Sequence, residues 1–155
     1  MLFLLFHLGP DRYALDAGKV VEVLPLLQFK KIPNAPRGVA GIFNYHGRPV
    51  PLVDLCELIL GRPAAERLTT RIILINYDGD DGRKNLLGLV AEHITQTIQR
   101  PEADCQEAGL RLGAAPYLGP VLLDEHGVIQ RVREEKLLPG DVRELIFDET
   151  AGSTP

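Results

Sequence analysis

The sequence predicts a mainly β fold of roughly nine or ten short strands with two or three short helices. Apolar runs of about five to eight residues recur at short intervals along the 155-residue chain. The 15 glycines and 12 prolines supply frequent turns between these runs. We find neither a convincing internal repeat nor a strand–helix–strand rhythm of about 30 residues. The pattern therefore favours antiparallel barrels or sandwiches over a doubly wound parallel sheet.

The N-terminal part of the chain predicts a hairpin, a third strand and a loop. Gly9 and Pro10 interrupt two apolar runs, as they do in a tight hairpin turn. The β-branched residues of segment 19–24 favour another strand, and residues 28–32 are expected to be extended. The prolines of segment 33–36 exclude a helix, because each also restricts the residue before it. The predicted strands of this part are 2–8, 13–16 and 19–24.

The middle of the chain predicts a second hairpin followed by a short helix. Residues 45–48 form the hairpin turn, and the prolines of the following strand, 49–53, favour the edge of a sheet. Asp54 and Glu57 have the spacing of a capping box, in which the first residue accepts from the helix N-terminus and the second reaches back. Gly61 suits the end of this helix.

The C-terminal half predicts more strands and a final hairpin. The run 71–77 carries the strongest buried-strand signal. Segments 86–91 and 93–98 are interpreted as one long or bent strand, and residues 100–116 as a loop. The remaining predictions are strands at 39–44, 117–123 and 128–132, turns at 78–82 and 124–127, and helical turns at 134–138 and 141–147, the last beginning with a second capping box at Asp141 and Glu144.

The distribution of charge argues against nucleic acid as a partner. The formal net charge is −4. Residues 1–100 carry 12 Lys/Arg against 10 Asp/Glu, whereas residues 101–155 carry 5 against 11. A nucleic-acid-binding protein normally presents a basic patch that neutralises phosphates, and the only adjacent basic pairs are 30–31 and 83–84. A small β-barrel that binds nucleic acid therefore remains the less favoured alternative.

We find no catalytic or metal-binding set in the sequence. The single serine, Ser153, lies in a C-terminal segment predicted to be flexible, which does not suit a serine hydrolase. Cys56 lies on the apolar side of the predicted helix, where we expect a buried, inert thiol. No two of the four histidines have the helical spacing that presents two metal ligands together; they are His7, His46, His93 and His126. We therefore predict neither an enzyme nor a bound cofactor or metal.

The apolar N-terminus does not predict a membrane protein. Residues 1–8 lack a basic start and are too short to span a bilayer as a helix. We interpret them as a buried strand in a cytoplasmic protein, with no direct membrane insertion and with both cysteines, Cys56 and Cys105, reduced.

One predicted turn has the residue types of a binding site. Turn geometry alone accounts for Asn44 and Gly47. Tyr45, His46 and Arg48 would project at the tip, and tyrosine and arginine are common anchors in protein interfaces. On the residues alone, a purely structural turn and a docking site are equally well supported.

At these residues the chain resembles a known family, the CheW-like domain, which is the adaptor module of bacterial chemosensory arrays. The resemblance covers residues 2–147 and rests on six segments in the right order. They are 3–16, with its hairpin; the V-x-E strand at 19–23; the I-P-x-x-P segment and following V-x-G at 32–41; the N-x-x-G turn at 44–47; the V-P-L-V-D-L run at 50–55; and the G-L-V run at 87–90.

The resemblance implies two small, intertwined, five-stranded β-barrels of the SH3-like type with a shared apolar interface. Together they would form a single domain over residues 1–147, followed by a flexible tail at 148–155. It also implies a non-enzymatic adaptor that binds the cytoplasmic tip of chemoreceptors and the regulatory domain of a CheA-type histidine kinase. Such a protein is cytoplasmic and is recruited to membrane-associated receptor arrays. A stand-alone regulatory module of a kinase is an alternative, although no kinase or receiver domain follows in the 155 residues.

The family resemblance also implies which residues contact partners. The implied contacts are Val20 and Glu22 in the V-x-E strand, Asn44, Tyr45, His46 and Gly47 with the neighbouring Arg48 at the turn, and Leu87, Val90 and Glu92. His46 stands where the family has arginine, and Glu92 where it has aspartate. Arginine is always charged and histidine is not, so these departures favour a specialised adaptor with its own receptor and kinase.

Overall fold

The computed structural model describes residues 1–78, 84–107, 115–140, 142–143 and 146–147. Within them the protein is mainly β, as predicted. The strands are β1 (Leu2–Leu8), β2 (Asp11–Asp16), β3 (Val20–Pro25), β4 (Val39–Tyr45), β5 (Arg48–Asp54), β6 (Arg71–Asp78), β7 (Lys84–Ala91), β8 (His93–Gln99), β9 (Leu118–Asp124) and β10 (Gly127–Val132). Helix α1 spans Leu55–Leu60, and 3₁₀ turns occupy Ala17–Lys19, Glu102–Asp104 and Glu134–Lys136.

The ten strands form two five-stranded sheets with mixed pairing. Sheet A has the spatial order β8-β1-β2-β10-β9, and sheet B has the order β3-β6-β7-β5-β4. The chain passes from sheet A to sheet B between β2 and β3, and it returns between β7 and β8. Sheet A is therefore built from two separate parts of the chain, β1–β2 and β8–β10, and the five strands of sheet B lie between them in sequence. This order confirms the predicted intertwined architecture.

The two sheets share one pattern of strand pairing. If sheet B is read from β3 to β7, and sheet A as β8, β9, β10, β1 and β2, the same positions pair in each, including one parallel pair, β5–β7 and β10–β2. Sheet A is thus a circularly permuted counterpart of sheet B. The sequence showed no repeat because the shared feature is topology, which many different apolar residues can satisfy.

Each sheet is closed towards a barrel by a short bridge at its edge. In sheet B, Lys30, beyond β3, pairs with Ile42 of β4. In sheet A, Gln106, beyond β8, pairs with Val121 of β9. At the first bridge a side chain on Gly41 would collide with the backbone oxygen of Lys30, so the closure requires glycine there.

The core lies mainly between the two sheets. Residues on one face of β1 and one face of β6 join the shared cluster, while the alternate residues fill the interior of their own sheet. Ile73 and Ile75 of β6, for example, face the shared core, whereas Ile72 and Leu74 face the interior of sheet B. Burial on both faces explains why these two strands are continuously apolar in sequence instead of alternating with polar residues.

Two predictions about strands are wrong. The prolines of β5 do not mark an edge, because β5 lies between β4 and β7. The pairing with β7 uses only Leu52–Asp54, beyond Pro49 and Pro51, so neither proline has to donate to that ladder. Segments 86–91 and 93–98 are not one strand: β7 belongs to sheet B and β8 to sheet A, with Glu92 at the crossover.

The predicted cap of α1 is half correct. The Asp54 carboxylate accepts from the backbone N–H groups of Cys56 and Glu57 at 2.9 and 3.3 Å, and Gly61 ends the helix in the left-handed conformation. The reciprocal bond from Glu57 is not formed, since the Asp54 N–H instead donates to the oxygen of Gly38 at 2.7 Å.

Several predicted segments fall wholly or partly outside the described residues. This group comprises residues 79–83 of the polar turn, residues 108–114 of the predicted loop, the second capping box at Asp141 and Glu144, and the tail at 148–155. The rest of the predicted loop contains the Glu102–Asp104 turn and the Gln106 bridge. Among the described residues, no helix combines the length and apolar character needed to cross a membrane.

Candidate partner-binding surface

Two sequence-predicted segments meet on one exposed surface of sheet B. Glu22 lies in β3 and Tyr45 lies at the end of β4, so the two belong to opposite edges of the sheet. The closure of the sheet brings those edges together, and the Tyr45 hydroxyl donates to Glu22 Oε2 at 2.7 Å. The V-x-E strand and the N-x-x-G turn therefore form one continuous patch, which we call the β3–turn surface and define as Val20–Glu22 plus residues 44–48.

A tight hairpin turn holds the tip of the β3–turn surface. His46 and Gly47 both have positive φ, at 51° and 84°, as the two central residues of a type I′ turn do. Asn44 Oδ1 accepts from the Gly47 N–H at 2.7 Å and fixes the turn. The rings of Tyr45 and His46 meet edge to face with centres 4.5 Å apart, so the turn presents its side chains in a defined arrangement.

The accessibility of this surface differs from residue to residue. Glu22, Asn44, His46, Gly47 and Arg48 are exposed. Tyr45 is half-buried, and Val20 is half-buried against the shared core. The surface therefore combines a carboxylate, an imidazole and a guanidinium around one aromatic ring.

Sequence reasoning missed one apolar member of this surface. Val21 is 44% exposed because the β3–β6 register shifts between Val20 and Glu22 and leaves Val21 without an opposite residue. Such a β-bulge turns a side chain out of the regular alternation. A run of two valines before a glutamate gives no signal of this irregularity.

The bond between Tyr45 and Glu22 also sets the protonation of the phenol. Donating this hydrogen bond to Glu22 stabilises the protonated phenol, and the pKa of Tyr45 is raised chiefly for this reason. The bond keeps one oxygen of Glu22 engaged, while its other oxygen can accept from a partner.

Leu87 and Val90 lie away from the β3–turn surface. Their exposures are 0% and 4%, and both belong to β7, which is flanked by β6 and β5. Leu87 packs in the shared core, and Val90 packs in the interior of sheet B. Leu87 and Val90 are therefore core residues, whereas most residues of the turn are exposed.

Glu92 ties together three separate parts of the backbone. Its carboxylate accepts from the N–H groups of Gly9 and Ala65, each at 2.8 Å, and forms a bidentate ion pair with Arg62 at 2.9 and 3.0 Å. The hydrogen bonds from Arg62, followed by those from the backbone, lower the pKa of Glu92 to about 2. Because both carboxylate oxygens are occupied by these bonds, Glu92 stabilises the junction between the two sheets.

The environment of Cys56 does not favour a reactive thiol. Cys56 is fully buried in α1, and burial raises the pKa of its thiol to about 12. Since the thiolate is the reactive form, this cysteine is a packing residue. No cluster of three or more potential metal ligands occurs among the described residues.

The fold and the β3–turn surface define a small two-barrel β domain with an exposed turn as its most distinctive feature. The family model of the CheW-like domain matches residues 2–141. The chain belongs to the CheW-like domain family.

Named relatives agree with this assignment. The chain is 32% identical over 98 residues to "Chemotaxis protein CheW" of Klebsiella aerogenes, and 24% identical over 103 residues to the protein of that name from Helicobacter pylori. The matches cover 59% and 66% of this chain, and they span 59% of the length of each relative.

A solved structure shows the same fold. The scaffolding protein TtCheW of Thermoanaerobacter tengcongensis superposes with a TM-score of 0.80 over 94% of this chain and 92% of its own. The sequence identity is 21%, so the likeness concerns the architecture of the two sheets.

Proposed function

We propose that the protein is a non-enzymatic signalling adaptor that couples chemoreceptors to a CheA-type histidine kinase. Membership of the CheW-like family supports the proposal, as do the names of the chemotaxis relatives. The protein would bind the cytoplasmic tip of a receptor and the regulatory domain of the kinase, and would act in the cytoplasm at receptor arrays.

The observation that carries this proposal is the hydrogen bond between Tyr45 and Glu22. It unites the β3 edge and the hairpin tip into one preorganised surface. Preorganisation reduces the entropy lost on binding, and the exposed Val21 adds apolar area beside the charged groups. Such a surface can recognise a partner through complementary charge and one apolar contact, without any chemistry.

Binding of both partners by the purified chain tests the proposal. We expect it to retain a receptor cytoplasmic tip and a kinase regulatory domain in pull-down and calorimetric measurements at low salt. Glu22→Lys should weaken binding to at least one of them. The thermal midpoint should hardly change, because an exposed polar contact contributes little to stability.

Glu125→Lys is the matched control, because Glu125 is 86% exposed and lies in the turn between β9 and β10. It makes the same change of charge away from the β3–turn surface and should leave receptor binding intact. Failure of the parent protein to bind either partner would refute the adaptor function. Equal losses in the two variants would instead mean that net charge, and not the β3–turn surface, governs binding.

A further inference from the structure

A cleft of about 620 Å³ lies at the junction of the two sheets, apart from the β3–turn surface. Its walls come from the β1–β2 turn, the loop after α1 and the start of β8. Its volume lies within the range of about 300–1,000 Å³ that is usual for ligand pockets. The polar side chains that line it belong to His7, Arg62, Arg67, Thr69, Glu92 and His93.

The cleft offers unused hydrogen-bond donors, whereas the one carboxylate among the described residues of its lining is saturated. Each oxygen of Glu92 already accepts two hydrogen bonds, one from Arg62 and one from a backbone N–H group. By contrast, the Arg67 guanidinium and the Thr69 hydroxyl make no hydrogen bond or ion pair with the described residues. A ligand that uses these donors must supply acceptor oxygens, as an oxyanion does.

Two imidazoles face each other at the same cleft. His7 of β1 stands directly opposite His93 of β8, with ring centres 5.6 Å apart. The Nδ1 atom of His7 is buried and has no hydrogen-bond partner, although buried polar atoms normally have one. Burial, followed by electrostatic repulsion from His93 and Arg12, lowers the pKa of His7. An anion beside the two rings would offset this repulsion.

The cleft carries a local positive charge in a protein whose net charge is −4. Glu92 neutralises Arg62, and Asp124 neutralises Arg12 of the neighbouring strand β2. Arg67 has no such counterion among the described residues. Arg67 therefore attracts an anion to this part of the surface, although the molecule as a whole repels one.

The turn that carries Arg67 and Thr69 is fixed to the rest of the protein. Thr70 is 1% exposed; its hydroxyl donates to the backbone oxygen of Ala65, and its N–H donates to the oxygen of Arg67 at 3.0 Å. The Ala65 N–H donates in turn to Glu92. The donors are thus presented by a preorganised turn, which reduces the entropy lost on binding.

We propose that this cleft binds a phosphate group, held by the Arg67 guanidinium, the Thr69 hydroxyl and the imidazoles of His7 and His93. Arginine suits this ligand because its planar donors match two phosphate oxygens at once. Free phosphate and a phosphate monoester both present these oxygens, and the volume of the cleft leaves room for the rest of a small monoester. Such binding would not depend on the adaptor function, because the cleft lies apart from the β3–turn surface.

Titration with inorganic phosphate, followed through the NMR signals of the labelled protein, tests the site. We expect the Thr69 amide and His93 ring signals to shift saturably in the millimolar range. Arg67→Gln should weaken binding about tenfold or more, because a charged hydrogen-bond donor is lost. Arg67 is exposed, so this variant should fold, and its NMR spectrum verifies this.

Lys136→Gln is the matched control, because it removes one positive charge from an exposed position in the Glu134–Lys136 turn. It should leave phosphate binding unchanged. Absence of saturable shifts in the parent protein at tens of millimolar phosphate would overturn the proposal. Equal weakening in Arg67→Gln and Lys136→Gln would overturn it as well, by showing that net charge governs the binding.

AMP and adenosine distinguish the two sources of the phosphate group. AMP should displace inorganic phosphate and bind more tightly if the cleft holds a monoester, whereas equal affinity would assign the cleft to free phosphate. Adenosine, which lacks the phosphate, should not shift the same signals. Binding of adenosine as strong as that of AMP would overturn the role assigned to the phosphate group.

The two histidines should give the site a pH dependence. Sulfate keeps its double charge between about pH 6 and pH 8, as do the other charged groups around the rings, which are Arg12, Arg62, Arg67 and Glu92. Sulfate should therefore bind more tightly at about pH 6, where the imidazoles gain protons. His93→Gln should reduce this difference, and His126→Gln, in the β9–β10 turn, should not. A sulfate affinity independent of pH in the parent protein would overturn the contact with the histidines.

Discussion

Glu92 shows how much of the architecture can depend on one side chain. It is the single residue between β7 and β8, where the chain leaves one sheet for the other. Its carboxylate holds the β1–β2 turn at Gly9 and the loop after α1 at Ala65, and Arg62 compensates its charge. A longer acid than the aspartate that the family resemblance implies can reach both backbone donors from this position.

Glu92→Gln should therefore destabilise the protein. The amide nitrogen cannot accept, so the N–H of either Gly9 or Ala65 loses its acceptor and the ion pair with Arg62 is lost. We expect the free energy of unfolding to fall by about 1–3 kcal/mol, with a drop of several degrees in the thermal midpoint. Chemical denaturation measures this, with Glu125→Gln as an exposed control; an unchanged Glu92→Gln variant would contradict the structural role.

At the residue scale, the family resemblance selected positions without their environments. The match at 87–92 drew attention to Leu87, Val90 and Glu92, yet two are core residues and the third is a structural anchor. A motif does not tell which face of a strand is covered by a second sheet. The pair formed by His7 and His93 gave no signal at all, because 86 positions separate two residues that only the topology brings together.

The β9–β10 hairpin illustrates how an element is fixed to its sheet. Asp124, at its turn, forms a bidentate ion pair with Arg12 of β2 at 2.6 and 2.7 Å. The hydrogen bond from the Arg12 guanidinium is the main reason that the pKa of Asp124 lies well below its usual range. A carboxylate whose pKa is lowered by folding stabilises the folded state in its ionised form.

This pair should make the hairpin sensitive to acid. The contribution of Asp124 is fully present above the usual pKa of an aspartate, about 4, and is lost as pH falls through that value towards the lower folded-state pKa. The stability difference between the parent and Asp124→Asn should thus be largest at neutral pH and shrink below about pH 4. Urea unfolding at several pH values measures it. A difference that stays constant down to pH 2 would contradict the role of the ion pair.

Elements were predicted more reliably than their connections. The predicted strands are present, because burial of an apolar run needs little information beyond its composition, whereas the segment 28–32 contributes only the Lys30 bridge. The break at Glu92 was missed, since no glycine or proline occurs between Leu89 and Ile98. The prolines of β5 misled for the opposite reason: the rule for edges concerns a whole strand, whereas its pairing with β7 is confined to three residues.

At the scale of the whole molecule, the two sheets depend on each other. The largest apolar cluster draws residues from both, including Phe6 and Leu8 of sheet A and Ile73, Ile75 and Leu89 of sheet B. Sheet B has only a small interior cluster of its own. Two-barrel architecture therefore does not mean two independently stable units.

A fragment of residues 17–92, which contains all five strands of sheet B, should not fold cooperatively by itself. Without sheet A, one face of β6 and of β7 would be exposed to water. We expect dye binding to exposed apolar surface and a broad thermal transition, as in a molten globule. The intact chain in the same buffer is the control, and a sharp transition of the fragment would contradict this dependence.

The permuted order of sheet A has a consequence for the newly made chain. On the ribosome, β1 and β2 emerge before sheet B, but their neighbours β8 and β10 are synthesised only after all of sheet B. The N-terminal hairpin must therefore wait, with its apolar edges unpaired, for about 80 residues of further synthesis. During this interval the N-terminal hairpin can pair wrongly with another nascent chain. This risk ends only when the β9–β10 hairpin has been released and completes sheet A.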